Sequence, residues 1–361
     1  MKHFSIFPLL AFVLFSCSKR TAMLDPIINP INGILRDLPL QSPKSTLKDM
    51  PFKFGASVSA ELLRSNPNYK ALVIKEYSSL TAENAMKFWA LHPFENTYNW
   101  KDADEIVAFA QVNGKRMHGH NLNWYEVPDW VRTFSGDTAA WENLLKTHIQ
   151  TVVSHFKGKV SSWDVVNEAI DENGDYRNTI WIQKLGPGYI ARAFQYAHEA
   201  DPSALLFYND YGHDYSPVKR TAILNLVNDL KQSGIPIHGI GLQMHTRYNQ
   251  PDEDITSAIT SAAATGLLVH ISELDMTVNP ESDKNLTFTA VLAEQQAAKY
   301  KFIVKTYYAI PKAQQFGITT WNVTDGDSWI PGTYSRPDWP LPFDAKYKRK
   351  PAYQGILDGV K

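Results

Sequence analysis

The sequence predicts a (β/α)8 barrel, because short β-branched or aromatic runs alternate with amphipathic stretches of helical period from about residue 53 onward. The alternation occurs eight times in roughly 310 residues, which is the number of units and the size typical of this fold. No internal repeat or shift in composition marks a second domain. With 44% hydrophobic residues in a chain of 361, one large core can be buried.

The predicted strands cover residues 53–58, 79–83, 115–120, 160–166, 204–208, 239–243, 267–271 and 317–321. Amphipathic helices fill the intervals, for example at 102–112, 139–155, 189–199, 219–232 and 292–309. A doubly wound open sheet is the structural alternative. That fold usually carries a glycine-rich phosphate-binding turn after its first strand, and Gly55-Ala56-Ser57 is not such a turn. The barrel is therefore the simpler prediction.

Two glutamates, Glu168 and Glu273, each close a buried strand of the predicted barrel. Polar residues at the carboxyl ends of parallel strands lie on the face where catalytic groups collect. Two carboxyl groups so placed are the minimum needed to cleave a glycosidic bond, because one protonates the leaving oxygen while the other attacks the anomeric carbon. A lone glutamate at a strand end commonly just pairs with a cation, but two with polar neighbours favour catalysis.

Polar or aromatic residues end most of the other strands too, and they do so within motifs. In chain order these are TAENAMK (81–87), GHNLNW (119–124), WDVVNEA (163–169), YNDY (208–211), GIGLQMH (239–245), ISELD (271–275) and GITTW (317–321). The ordered set resembles glycoside hydrolase family 10, the β-1,4-xylanases, from about residue 54 to about residue 353. Asn167-Glu168 alone would be a weak signal, because several barrel glycosidase families share it.

The resemblance implies a retaining endo-1,4-β-xylanase in which Glu168 is the acid/base and Glu273 is the nucleophile. His245 would hydrogen-bond Glu273, and Asp275 would fix the imidazole from behind. Asn167 would bond the 2-hydroxyl of the sugar at the cleavage point. The other implied site residues would bind sugar hydroxyls or pack against sugar rings, and they are Glu83, Asn84, Lys87, His120, Trp124, Tyr125, Tyr211, Gln243, Trp321 and Trp329.

Two positions depart from the family pattern. The family usually has a histidine directly after Trp124, where this chain has Tyr125, and commonly a glycine after Trp321, where this chain has Asn322. Neither departure involves the two carboxyl groups, so we expect catalysis to be kept. We expect Tyr125 to hydrogen-bond or pack beside the cleaved sugar. The alternative is that it turns away and packs against the loop at 128–130.

The N-terminus predicts export and lipidation. A short basic start precedes an almost wholly apolar run at 4–15, too short to span a bilayer comfortably, which is followed by Ser16-Cys17. This resembles the lipobox of bacterial lipoproteins, in which Cys17 would be acylated. An ordinary secretory signal is the alternative. The predicted organisation is a signal peptide at 1–17, a proline-containing tether at 18–48 and a catalytic barrel at 49–361, displayed by an outer-membrane lipoprotein in the periplasm or on the cell surface.

Composition and spacing limit the partners. A net charge of −1 argues against a nucleic-acid groove, which needs a basic excess. The pairs His118/His120 and Glu273/Asp275 have no third ligand at familiar zinc spacing, so neither a catalytic metal nor another cofactor is expected. The expected partner is xylan or a xylo-oligosaccharide, bound by a monomer. Two alternatives stay open: a barrel hydrolase for another β-linked glycan, and a non-catalytic glycan-binding lipoprotein.

Overall fold

A computed structural model describes residues 45–361, whose main sheet is a closed parallel barrel. Hydrogen bonding joins neighbouring strands in parallel pairs, and the pairing of the sixth strand with the eighth closes the ring. The (β/α)8 prediction is thereby confirmed and the open sheet is excluded. The strands are β1 Phe54–Val58, β2 Ser79–Ala82, β3 Arg116–His120, β4 Ser162–Asn167, β5 Leu205–Asp210, β6 Gly239–Leu242, β7 His245–Arg247, β8 Leu268–Thr277 and β9 Gln315–Thr320.

The strand β7 is a short continuation of β6 and does not form a ninth position in the barrel. Both pair in parallel with β8, β6 with its first half and β7 with its last three residues. Met244 adopts a left-handed backbone conformation with φ of 59°, and this interrupts the strand path between Gln243 and His245. Because β7 extends the pairing, β8 runs to Thr277, six residues beyond its predicted end at 271.

Helices surround the barrel on its outer side. Several of them begin after a capping residue; α9, for example, begins after Ser216, whose Oγ accepts the backbone N–H of Lys219, with Pro217 in the first position. In residues 45–361 the helices are α1 Ala60–Ser65, α2 Pro67–Glu76, α3 Phe88–Leu91, α4 Lys101–Val112, α5 Asp129–Arg132, α6 Thr138–His155, α7 Ile180–Leu185, α8 Tyr189–Ala200, α9 Pro217–Gln232, α10 Asp252–Ala264, α11 Ala290–Tyr308, α12 Trp329–Tyr334 and α13 Pro351–Asp358.

Close packing inside the barrel explains why residue 119, in the third strand, is a glycine. Trp163 is buried against β3, and a Cβ placed on Gly119 would lie only 2.1 Å from Cε3 of that indole. No larger residue fits at this position without displacing the tryptophan. Trp163 and Tyr208 are both fully buried in the core, as expected for barrel packing.

The packed domain begins slightly before its predicted boundary. Leu47 lies in a short 3-10 helix, Leu47–Asp49, and its side chain is completely buried in the core, so residue 47 belongs to the barrel domain and not to a tether. The predicted signal peptide, Cys17 and nearly all of the predicted tether lie outside the described residues. Within residues 45–361, no helix is long and apolar enough to cross a bilayer.

Candidate active site

The carboxyl ends of the barrel strands surround one cleft of about 660 Å³. Glu168 follows β4 directly and Glu273 lies within β8, and both side chains are buried at its floor. The fold therefore brings together two glutamates that are far apart in the sequence. The predicted site residues that line this cleft are Lys87, His120, Trp124, Tyr125, Asn167, Glu168, Tyr211, Gln243, His245, Glu273, Trp321 and Trp329.

Glu273 is surrounded by hydrogen-bond donors. Its Oε1 accepts from Asn209 Nδ2 at 2.8 Å, and its Oε2 lies 3.3 Å from His245 Nε2. The His120 ring lies near the same carboxylate, with Nδ1 4.0 Å from Oε1. Burial raises the pKa of Glu273, but His120 and His245 outweigh burial and hold this pKa below its ordinary value. The carboxyl group is therefore ionised at neutral pH, as a nucleophile requires.

His245 bridges two carboxylates. Its Nδ1 lies 2.9 Å from Asp275 Oδ2, on the side opposite to Glu273. Trp329 Nε1 donates to the same oxygen of Asp275 at 2.7 Å. Burial alone lowers the pKa of His245, but Asp275 and then Glu273 raise it well above its ordinary value. The imidazole is thus a cation at neutral pH, with both ring nitrogens acting as donors.

Side-chain amides connect the two carboxyl groups. Gln243 Nε2 donates to Glu168 Oε1 at 2.8 Å, and Asn209 Nδ2 donates to Asn167 Oδ1 at 2.9 Å. The orientation of the Asn167 amide follows from Asn209. Nδ2 of Asn209 carries two hydrogens and donates one of them to Glu273, so the other points to Asn167 and needs the Asn167 oxygen as its acceptor. The reverse orientation would gain contacts with Trp124 Nε1 at 3.2 Å and with the Asn209 carbonyl at 3.3 Å, but it would set two amide nitrogens 2.9 Å apart against each other. With this assignment, Asn167 Nδ2 lies 3.3 Å from Glu168 Oε1.

The backbone at Glu168 takes an uncommon conformation, with φ of 56°. A residue with a side chain costs energy in this left-handed region unless its surroundings hold it there. The N–H of Glu168 donates to the Asn209 carbonyl at 2.9 Å, and Arg177 Nε donates to the Glu168 carbonyl at 2.9 Å. Both backbone polar groups of Glu168 are therefore fixed from neighbouring elements.

A buried aspartate supports His120 from below. Asp164 Oδ2 lies 2.9 Å from His120 Nδ1 and 3.1 Å from His118 Nε2. Burial raises the pKa of Asp164, but the two histidines outweigh it and hold this pKa far below its usual range. Asp164 thus holds the His120 ring in its orientation, as a carboxylate behind a functional histidine commonly does.

Lys87 and two tryptophans form one wall of the cleft. Nζ of Lys87 lies 5.1 Å from the centroid of the Trp124 ring and 5.7 Å from that of Trp321. It also donates to Asn84 Oδ1 at 3.0 Å. Glu83 and Asn84 themselves are not among the cleft-lining residues, although Asn84 positions Lys87. Burial raises the pKa of Glu83 above its ordinary value against hydrogen bonds from neighbouring amides.

The backbone at Asn322 has a conformation that glycine adopts readily. Its φ is 75°, in the left-handed region, and asparagine tolerates this region better than most other residues that carry a side chain. Its Oδ1 accepts the backbone N–H of Trp329, at the start of α12, at 3.3 Å. The side chain also opposes the rise in the pKa of Glu83 that burial causes. The departure from glycine therefore keeps the backbone and adds polar contacts.

Tyr125 lies in the cleft and does not turn away from it. Its ring packs against Trp124 with centroids 4.8 Å apart, and the Arg177 guanidinium carbon lies 5.3 Å from its centroid. Burial, followed by the negative charge of Glu168, raises the pKa of Tyr125 to about 12. The phenol consequently stays a neutral donor at neutral pH.

Several functional residues escaped sequence reasoning. Asn209 and Asp164 lie inside motifs, where they could be read as ordinary strand residues, and Arg177 lies in a loop without a motif. Asp164 could have been found as a polar residue inside a strand predicted to be buried, since such a group needs a partner. Asn209 could have been found as a polar residue directly after the strand predicted at 204–208. The cleft also has four lining residues that no pattern marked: Glu126, Tyr215, Thr333 and Tyr334.

The described part of the chain contains no group of three or more histidine, cysteine, aspartate or glutamate side chains arranged to hold a metal ion. The chemistry available in the cleft is that of an ionised carboxylate, a second carboxyl group bonded by amides, and polar and aromatic groups suited to a sugar. A parallel barrel with this site defines the class of glycoside hydrolases that act through two carboxyl groups.

Comparison with known families agrees with this class. The family described as "Glycosyl hydrolase family 10" matches residues 43–359. The chain belongs to this family.

Curated relatives carry xylanase and glucanase names. The chain is 40% identical over 319 residues to "Endo-1,4-beta-xylanase B" of Paenibacillus barcinonensis, covering 85% of this chain and 95% of the relative. It is 40% identical over 341 residues to "Exoglucanase XynX" of Acetivibrio thermocellus, covering 91% of this chain but 30% of the relative. It spans a similarly small share, 28%, of "Endo-1,4-beta-xylanase A" of Thermoanaerobacterium saccharolyticum, at 40% identity over 88% of this chain.

Solved structures share the fold throughout. Native xylanase 10B of Thermotoga maritima superposes with a TM-score of 0.82 at 33% identity, covering 88% of this chain and 98% of that one. An intracellular xylanase of Thermoanaerobacterium saccharolyticum, solved as a point variant in complex with xylotetraose, gives a TM-score of 0.79 at 37% identity, covering 84% and 95%.

Proposed function

We propose that this protein is a retaining endo-1,4-β-xylanase that hydrolyses internal linkages of xylan with Glu273 as nucleophile and Glu168 as acid/base. The observation that carries the proposal is the asymmetry of the two carboxyl groups. Glu273 is held ionised by His120 and His245, whereas the side-chain partners of Glu168 in the described structure are the neutral amides of Gln243 and Asn167. One group is thereby prepared to attack and the other to exchange a proton.

In the first step, a Glu273 oxygen bonds to the anomeric carbon while the bond from that carbon to the leaving oxygen breaks. Glu168 gives its proton to the leaving oxygen. In the second step, the Glu168 carboxylate takes a proton from water, whose oxygen bonds to the anomeric carbon and releases Glu273. Two inversions give net retention, and Glu168 regains its proton.

The neighbouring residues would stabilise the charge that develops on the sugar. Asn167 would bond the sugar's 2-hydroxyl as the oxocarbenium ion forms, a contact that strengthens in the transition state. His120, Lys87 and Gln243 would bond other hydroxyls. Trp321 and Trp329 would pack against the sugar faces, since flat C–H faces suit aromatic rings.

Glutamate variants test the two roles. Glu273→Ala should abolish hydrolysis of all substrates, and azide should restore activity with inversion because it replaces the missing nucleophile. Glu168→Ala should lose xylan hydrolysis but keep much of the activity on aryl glycosides with good leaving groups, which need little protonation. Glu142→Ala is the control, because Glu142 pairs with Arg192 at 2.8 Å, outside the cleft. Proton NMR should detect the β-anomer as the first product, and an α-anomer would exclude retention.

A related hydrolase for another β-linked glycan is the second candidate, and the name of the exoglucanase relative favours it. Parallel assays on xylan, mannan, cellulose and mixed-linkage glucan distinguish the two by their kcat/KM values. Product sizes over time separate internal from terminal cleavage. A non-catalytic protein would bind the glycan without releasing reducing ends. The lowered pKa of Glu273, which prepares this carboxylate for attack, argues against a purely binding function.

We further propose that Cys17 is acylated and anchors the enzyme in the bacterial outer membrane, in the periplasm or at the cell surface. The support is the apolar run at 4–15 followed by Ser16-Cys17. Cys17→Ala should move the enzyme to soluble fractions with unchanged specific activity, and only wild type should incorporate labelled fatty acid. A soluble, unlabelled wild type would indicate a secretory signal instead.

We also propose that the enzyme acts as a monomer, because one chain supplies both glutamates and the cleft around them. Light scattering across a concentration series should give the mass of a single chain.

A further inference from the structure

Asp210 and Lys219 form a buried ion pair beside the backbone that carries Glu168. Asp210 is the last residue of β5, and Lys219 lies in the first turn of α9. Nζ of Lys219 lies 2.9 Å from Oδ1 of Asp210, and both side chains are almost fully excluded from solvent. Desolvation offsets most of the attraction within a buried pair, so stability alone does not account for it.

The pair is connected to the residues that follow Glu168. Oδ2 of Asp210 accepts the Tyr208 hydroxyl at 2.6 Å, and that hydroxyl accepts the N–H of Ala169 at 3.0 Å. The same Oδ2 accepts the N–H of Ile170 at a longer 3.4 Å. Two consecutive backbone amides after Glu168 are therefore bound to one carboxylate, directly or through a hydroxyl.

These contacts act where the backbone needs support. Glu168 has φ of 56°, and such a conformation persists only where the surroundings fix it on both sides. Arg177 fixes the Glu168 carbonyl, and the anchors on Ala169 and Ile170 fix the chain beyond it. If those two anchors loosen, the backbone after Glu168 is held less firmly, and the Glu168 side chain is positioned less exactly even though Gln243 and Asn167 still bond its carboxyl group.

Lys219 also reaches the wall of the cleft. Its Nζ lies 3.1 Å from the centroid of the Tyr211 ring, and Tyr211 lines the cleft. The ammonium group thus holds the aspartate on one side and an aromatic ring on the other. Burial raises the pKa of Asp210 to about 6, with Lys219 opposing that rise.

We infer that Asp210 and Lys219 are positioning residues for the acid/base: the ion pair fixes Tyr208 and the amides of Ala169 and Ile170, and so holds the Glu168 carboxyl at the leaving oxygen. This inference rests on the role proposed above for Glu168. Neither residue of the pair exchanges a proton with the substrate.

The test compares two leaving groups in Lys219→Met. For a phenyl xylobioside, which needs protonation, kcat/KM should fall by about 10- to 100-fold, part of the roughly 10²–10⁴-fold that a positioned acid contributes. For a dinitrophenyl xylobioside, which needs little protonation, kcat/KM should change much less. Lys350→Met is the matched control, since Lys350 forms another buried pair, 3.0 Å from Asp325. It should affect both substrates equally.

Tyr208→Phe is a milder second variant that removes only the connecting hydroxyl. It should shift the same substrate ratio in the same direction, and it decides the matter if Lys219→Met does not fold. Hydrogen exchange of the Ala169 and Ile170 amides provides a readout that needs no activity, and it should be faster in both variants than in wild type or Lys350→Met.

Equal losses on the two xylobiosides, with unchanged exchange at these amides, would overturn the inference. If wild type hydrolyses neither xylobioside, the proposed function fails on its own. The exchange data would then still show whether the ion pair anchors the backbone after Glu168.

Discussion

Replacing His245 with glutamine should move the acid limb of the pH–activity profile upward. Glu273 must be ionised to attack, so activity is present above its pKa and is lost as the pH falls through it. In wild type, His120 and the protonated His245 hold this pKa below its ordinary value in spite of burial. Glutamine carries no charge and so cannot replace the charge-assisted bond of His245, and the pKa of Glu273 should therefore rise.

The size of the shift follows from the geometry. Nε2 of His245 lies 3.3 Å from Oε2 of Glu273, which is long for a bond between charged groups, so the lower end of the usual range, about 1.5 kcal/mol, applies. Each pKa unit corresponds to about 1.4 kcal/mol, and the acid limb should therefore move up by about one unit. Asn209 Nδ2 remains at 2.8 Å and limits the rise.

The assay is kcat/KM against pH with a dinitrophenyl xylobioside, because a good leaving group makes the first step insensitive to protonation of Glu168. His155→Gln is the control: His155 also pairs with a carboxylate, Asp104, at 2.8 Å, but outside the cleft. Its profile should match that of wild type. An acid limb that stays in place or moves downward in His245→Gln would refute the electrostatic role assigned to His245.

Two further predictions concern the departures from the family pattern. Tyr125→Phe should lower kcat/KM on xylan, and the loss should correspond to about 1 kcal/mol of activation free energy, the value of one hydrogen bond. An unchanged kcat/KM would leave Tyr125 only a packing role. Tyr125→His should keep substantial activity, and a collapse by many orders would contradict its assignment to this position. Asn322→Gly should lower the free energy of unfolding by about 1 kcal/mol through lost contacts of Oδ1 and Nδ2. Asn322→Ala should be worse by roughly a further 1–2 kcal/mol, because its Cβ is strained at positive φ, and denaturant titration should give that order.

The sequence by itself determined the barrel and its two carboxyl groups. Hydrophobic periodicity is local, so eight alternations of strand and helix could be counted without knowing any contact. Parallel strands carry their carboxyl ends to one face, so Glu168 and Glu273 could be assigned to a common site from their positions at strand ends. The motifs then supplied the identities of most cleft residues.

The sequence predicted the ends of the strands less well, because pairing with other strands in the tertiary structure sets where a strand ends. The predicted seventh strand ended at residue 271, where the apolar run changes to polar residues, yet β8 continues to Thr277. The continuation pairs with β7 beyond the break at Met244. A polar residue can extend a strand when its backbone finds a partner and its side chain finds a hydrogen bond, as Asp275 does with His245.

Only the tertiary structure decided which groups act on one another. Asn209 and Glu273 are 64 positions apart, and their hydrogen bond exists because closure of the barrel brings β5 and β8 together around the cleft floor. Tyr208 is fully buried in the core, but burial alone does not reveal that its hydroxyl lies between Asp210 and Ala169. Local patterns record whether a residue is buried. The partners of a buried polar atom depend on contacts between distant segments, and these are fixed only when the barrel closes.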